Sequence, residues 1–106
     1  MRAFFCRAGF LACCLLAFAA CAAEIEVIDD SGRAVLLKGP ARRVISLSPH
    51  TTELIFAAGG GDKLLATTEG SNFPPQALNL PKLGDQRAPD TARIAAYKPD
   101  LMFGWL

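Results

Sequence analysis

The stretch Arg43-Val44-Ile45-Ser46-Leu47-Ser48-Pro49-His50-Thr51-Thr52-Glu53-Leu54-Ile55-Phe56-Ala57-Ala58-Gly59 decides the fold. Its opening, Val44 to Ser48, is an apolar and β-branched run of the kind that is buried on both faces in a parallel sheet. Ser48-Pro49 then marks a helix start, because a serine oxygen accepts from free backbone N–H groups and proline suits the first helical position, where its missing N–H costs nothing. Leu54, Ile55, Ala57 and Ala58 supply an apolar face, and Gly59-Gly60-Gly61 ends the helix. A glycine triplet also invites a phosphate-loop reading. That loop, however, stands between a strand and the helix it opens and carries Gly-Lys-Ser/Thr, whereas these glycines follow the helix and precede Asp62-Lys63.

Downstream, Lys63 to Thr68 predicts a shorter strand, and a right-handed β-α-β crossover places it beside the first strand and parallel to it. Glu69 to Pro75, with its glycine and two prolines, is a loop, followed by a short helical or irregular piece through Leu80 and a second loop from Pro81 to Pro89. Asp90 to Tyr97 reads as a helix with an acidic residue at its positive end. Lys98-Pro99 ends it, since the residue before proline avoids α geometry. Asp100 to Leu106 is then a third apolar strand. Upstream, Glu24 to Asp29 alternates polar and apolar residues, Asp30-Ser31-Gly32-Arg33 turns, and Ala34 to Leu37 resumes, which predicts a β-hairpin closed by Gly39-Pro40. The fold class is α/β: a hairpin over 24–41, then a Rossmann-like β-α-β-α-β lobe with a mainly parallel sheet over 42–106.

Residues 1–23 have a different character. Only Arg2, Arg7 and Gly9 fall outside the hydrophobic set, and the plan of basic start, short apolar middle and small residues at the end is that of a secretory signal peptide, with cleavage after Ala22 or Ala23. Its uncharged run is shorter than the ~20 residues that cross a bilayer with ease. Phe18-Ala19-Ala20-Cys21 also loosely matches a lipobox, so a lipoprotein anchored at Cys21 is the alternative to a soluble periplasmic form. All four cysteines (Cys6, Cys13, Cys14, Cys21) lie in this leader, leaving thiolate metal sites and cysteine nucleophiles without residues beyond it. Without Arg2 and Arg7, nine basic residues face ten acidic ones, a balance that argues against nucleic-acid binding.

Several of these segments together carry a resemblance: Arg43-Val44-Ile45-Ser46-Leu47-Ser48-Pro49 with Thr52-Glu53-Leu54, Phe56-Ala57-Ala58-Gly59, Pro74-Pro75-Gln76-Ala77, and Arg93-Ile94 through Lys98-Pro99-Asp100-Leu101 to Trp105. In these the chain resembles the substrate-binding proteins of ABC importers for iron complexes and cobalamin. The resemblance implies a two-lobed periplasmic binding protein, monomeric when complete, with ligand held between lobes. It implies delivery of that ligand, a corrinoid or an iron chelate such as a siderophore or haem, to an inner-membrane permease, with no catalysis and no cofactor. At this length the chain is read as a truncated product holding part of the first lobe, with the bridging helix and second lobe absent.

In a parallel α/β sheet, ligand sites lie at the carboxyl ends of strands, where loops and helix N-termini converge. That selects His50, the loop containing Gly70 and Ser71, the loop containing Gln86 and Arg87, and Trp105. The family's cleft aromatic aligns with Trp105, whose indole offers a flat apolar face and one N–H donor; packing at a strand end is the competing role. Two further family aromatics are replaced here by Gly70 and Gln86, which keeps iron-chelate ligands open beside corrinoids. His50, the sole histidine, can coordinate a metal or donate to a propionate, or simply face solvent from a first helical turn. Arg87 can pair with an anionic ligand group or remain solvated. The family docks on its permease through an acidic residue at the position of Ala92. Asp90 is the nearby substitute, with Asp85 a second, although Asp90 serves equally well as a helix-start residue. An enzyme on the same lobe finds no support in the residues: one histidine, no nucleophile elbow and no paired carboxylates at a recognisable spacing.

Overall fold

The computed structural model describes residues 23–105. Residues 1–22, which hold the four cysteines, nearly all of the expected signal peptide and the lipobox alternative at Cys21, lie outside the described residues, as does Leu106. Among the described residues no helix is long and apolar enough to cross a membrane.

The expected hairpin forms from β1 (Ile25–Ile28) and β2 (Ala34–Leu37), paired antiparallel with Val27 opposite Val35. Its turn is tied by Asp29, whose Oδ1 accepts from the backbone N–H groups of Ser31 and Arg33, both at 2.9 Å. These bonds and the Ser31 hydroxyl hold the Asp29 carboxyl below its ordinary pKa, the Ser31 side chain contributing most. Most of the hairpin's apolar side chains remain exposed, Val27, Ile28, Val35 and Leu36 among them.

The lobe is built on β3 (Val44–Ser46), which lies between β4 (Leu64–Ala66) and β7 (Leu101–Phe103) in a three-stranded parallel sheet. The connection from β3 to β4 is α1 (Pro49–Ala57). Ser48 caps α1 by accepting from the Thr51 N–H, and Pro49 stands in the first turn. Gly59 follows the C-cap at φ +82°, a left-handed conformation that closes helices at little steric cost only for glycine.

Successive strand residues point to opposite faces. Ile45, fully buried, packs with Ala66, Leu83 and Ile94, and with the partly buried Leu47 and Tyr97. This sets α2 (Thr91–Tyr97) on one face of the sheet. Val44 and Ser46 point the other way, toward α1, where Ser46 Oγ meets the hydroxyls of Thr51 and Thr52.

The basic pair before β3 has a structural use. The Asp100 carboxylate accepts from the backbone N–H groups of Arg42 and Arg43 at 3.0 Å each, joining the amino ends of β3 and β7. These bonds, that of Arg42 foremost, hold the Asp100 carboxyl below its ordinary pKa. The Arg43 guanidinium donates to the carbonyls of Tyr97 and Lys98 and so satisfies the end of α2.

The structure corrects the sequence reading in three places. The segment from Pro81 to Pro89 is not an open loop: β5 (Gly84–Asp85) and β6 (Ala88–Pro89) pair antiparallel within it, and Thr67 bridges Lys82 in parallel. Lys98 ends α2 in the left-handed region, at φ +47°, rather than in an extended conformation. The last strand is also shorter than expected, its ladder closing at Phe103, so that Gly104 and Trp105 lie beyond it.

Candidate ligand-binding site

At the carboxyl ends of β3, β4 and β7, three chain segments meet. The first turn of α1 presents Pro49 and His50. The segment after β4 returns past it at Gly70, where an added side-chain carbon would touch Pro49 Cγ at 3.5 Å. Gly70 also has φ +80°, so a side chain is disfavoured there by backbone conformation as well. The Glu69 N–H donates to the Gly84 carbonyl at 2.9 Å, which ties this segment to β5. Trp105, two residues past β7, packs on His50 edge-to-face, with ring centroids 4.7 Å apart and an interplanar angle of 79°. The indole remains 67 % exposed, and Phe73 is likewise exposed at 63 %.

The residues singled out from the sequence do not all gather there. His50 and Trp105 are in contact, and Gly70 lines the same end. Gln86 and Arg87 form the exposed two-residue turn between β5 and β6, where the Asp85 carboxylate accepts the Arg87 N–H at 2.8 Å. Asp90 caps α2, its Oδ1 accepting the Arg93 N–H at 3.0 Å, while its own N–H donates to the Leu83 carbonyl. Ser71 departs from the expectation of a ligand contact. It is 1 % exposed, and its hydroxyl meets those of Thr67 at 2.8 Å and Thr52 at 3.3 Å, so it faces inward while its neighbours Gly70 and Asn72 face out.

Ser71 belongs to a buried set of hydroxyls that sequence reading missed. Thr52 Oγ1 lies at its hub, within 2.6 Å of Thr67 Oγ1, 2.9 Å of Ser46 Oγ and 2.9 Å of the Ser48 carbonyl. Ser46 Oγ and Ser48 Oγ both reach Thr51 Oγ1, at 2.6 and 2.9 Å. A hydroxyl has one proton and two acceptor sites, so these contacts are shared among alternatives and each oxygen stays occupied. The signal was present as a serine or threonine at 46, 48, 51, 52, 67 and 71, two apart at the end of β3 and the cap of α1 and adjacent within α1. Lys82 reinforces the same region by donating to the carbonyls of Ser71 at 2.9 Å and Ala77 at 2.7 Å, which pins both ends of the Ser71–Ala77 segment.

The result is a hydrogen-bonded base whose rim carries the exposed rings of His50 and Trp105. Such a rim offers flat apolar surface beside a few polar atoms, suited to a large ring-bearing ligand. Among the described residues no three His, Cys, Asp or Glu side chains cluster to hold a metal ion. A hollow of about 410 Å³ between Leu37, Gly39, Arg42 and Asp100 lies at the opposite, amino ends of the strands.

This lobe, with parallel strands around β3 and a helix on each face, is the fold of periplasmic binding proteins. The chain matches the solved periplasmic vitamin B12-binding protein BtuF of Vibrio cholerae with a TM-score of 0.60 and 48 % identity, covering 62 % of this chain and 26 % of that one. Among curated proteins, the vitamin B12-binding protein of Vibrio cholerae is 48 % identical over 66 residues, 62 % of this chain and 24 % of the relative. A periplasmic heme-binding protein of Roseiflexus matches with a TM-score of 0.57 and 30 % identity, over 61 % of this chain and 25 % of that one. No family model matches. The chain spans about a quarter of the length of the curated relatives it matches. Within that span it is related to periplasmic binding proteins named for vitamin B12 and heme, in agreement with the resemblance read from the residues.

Proposed function

We propose that this chain supplies the first-lobe side of a binding site for cobalamin or a related corrinoid, in an extracytoplasmic substrate-binding protein that serves an ABC permease without catalysing a reaction. The observation that carries it is Trp105, two-thirds exposed at the carboxyl end of an edge strand, in a lobe 48 % identical to one named for vitamin B12. An indole in that position stacks on the periphery of a corrin ring. Gly70, beside Pro49 at the same strand ends, provides neighbouring surface, and the Gln86–Arg87 turn is assigned to the ligand on the resemblance alone. In this reading the leader exports the protein to the periplasm, with anchoring at Cys21 the alternative, and Asp90 on the exposed start of α2 meets the permease.

An iron chelate or haem is the second reading. It is favoured by the 30 % identical heme-binding neighbour and by the absence of large stacking side chains at Gly70 and Gln86. Calorimetric titration of cyanocobalamin and of haemin into the protein as its gene encodes it separates the two. Cyanocobalamin is expected to bind more tightly, and Trp105→Ala to weaken it by about 1 kcal/mol. Tighter haemin binding, with cyanocobalamin indifferent to Trp105, would transfer the assignment to the second reading.

A further inference from the structure

We infer that His50 is a positioning residue that braces Trp105, so that the indole is held ready in one orientation before any ligand arrives; its value for binding rests on the ligand reading above, but the brace itself does not. Neither strand pairing nor deep burial holds Trp105. Pairing along β7 ends at Phe103, whose carbonyl accepts the Leu47 N–H at 2.8 Å. Gly104 then intervenes, with open space where a side chain would stand. The indole is 67 % exposed, and among the described residues its only aromatic contact is the imidazole of His50.

His50, by contrast, rises from a fixed point. It stands between Pro49, in the first turn of α1, and Thr51, whose hydroxyl is bonded to Ser46, Ser48 and the Ser48 carbonyl. The buried hydroxyls under α1 therefore fix the helix start, the helix start fixes the imidazole, and the imidazole orients the indole. An edge-to-face pair is directional, since the positive edge of one ring meets the negative face of the other, so it selects an angle as well as a distance.

The chain has one histidine and one tryptophan, which makes the pair readable without labels. In the whole ligand-free chain, His50→Ala is expected to lower the fluorescence anisotropy of Trp105 and weaken its near-UV circular dichroism. His50→Phe, which keeps an aromatic ring, restores both. An indole signal unchanged in His50→Ala, or not restored by phenylalanine, would overturn the brace. If a variant fails to fold by far-UV circular dichroism, the unmutated chain decides: cross-relaxation between imidazole and indole ring protons supports the contact, and its absence refutes it. These measurements need no ligand, so they stand or fall separately from the corrinoid reading. In protein shown to bind cyanocobalamin, His50→Ala should raise Kd by ~2- to 10-fold, and should have no effect once Trp105 is alanine. An equal effect in both backgrounds would mean that His50 acts on the ligand by another route.

Discussion

On one side of β3, Ile45 is packed among Ala66, Leu83 and Ile94; on the other, one residue later, Ser46 enters a net of hydroxyls from Ser48, Thr51, Thr52, Thr67 and Ser71. Both sides are fully buried at β3 and both hold a helix to the same three strands. They differ in what they specify. Apolar burial is strong but weakly directional, and tolerates repacking when volume is conserved. Hydroxyl bonds contribute only modestly each, yet they demand particular distances and angles, so they set the register of α1 against the carboxyl ends of β3 and β4. The apolar side lies under α2, whereas the hydroxyl side lies under Pro49, His50 and Gly70, at the rim of the proposed site.

If this division of labour holds, Ile45→Ala should have the largest effect on stability. The side chain has no exposed surface, and its truncation removes buried methylene groups and leaves a cavity between the sheet and α2, at a cost of about 3 kcal/mol. Urea unfolding followed by far-UV circular dichroism measures it. A loss under about 1 kcal/mol would show that the α2 side is loosely packed, and the contrast would fail at its apolar end.

Thr52→Val sharpens the other side. The substitution preserves shape but removes the hub hydroxyl, so that Ser46, Thr67, Ser71 and the Ser48 carbonyl lose a shared partner inside the protein. The expected cost is about 2 kcal/mol, chiefly from polar atoms left without full satisfaction. It should be accompanied by altered near-UV signal from Trp105, because the disturbance lies one step below His50. A neutral result, with the Trp105 signal unchanged, would mean that the hydroxyls merely fill space.

The two sides were also unequally legible. The strand run at Val44, the Ser48-Pro49 start, the glycine stop and the hairpin turn are local signals, and each appears at the expected position because its cause lies within a few residues. That His50 and Trp105 stand at the same strand ends was legible through topology, and the two rings do meet. What was not legible depends on distant partners. Ser71 reads as an exposed loop residue until Thr67 and Thr52 are placed against it. The pairing of β5 with β6 depends on two residues each, too few for alternation to register. The left-handed Lys98 offers its carbonyl to Arg43, 55 positions away, a partner that no local pattern names.

The smallest effect is expected at Thr68, where the comparison can be tested by an exception. Thr68 is fully buried next to Thr67, but its hydroxyl has no hydrogen-bond partner among the described residues, while Thr67 Oγ1 meets two. A buried hydroxyl without a partner has lost its hydration with nothing in return, and a methyl group of the same shape avoids that cost. Thr68→Val is therefore expected to be neutral or stabilising by up to about 1 kcal/mol, opposite in sign to Thr52→Val although both replace a buried threonine with valine. Urea midpoints of the two variants measured side by side give the difference directly. Should Thr68→Val be as costly as Thr52→Val, burial of a hydroxyl rather than its bonding would account for both, and the ordering role assigned to the α1 side would be lost.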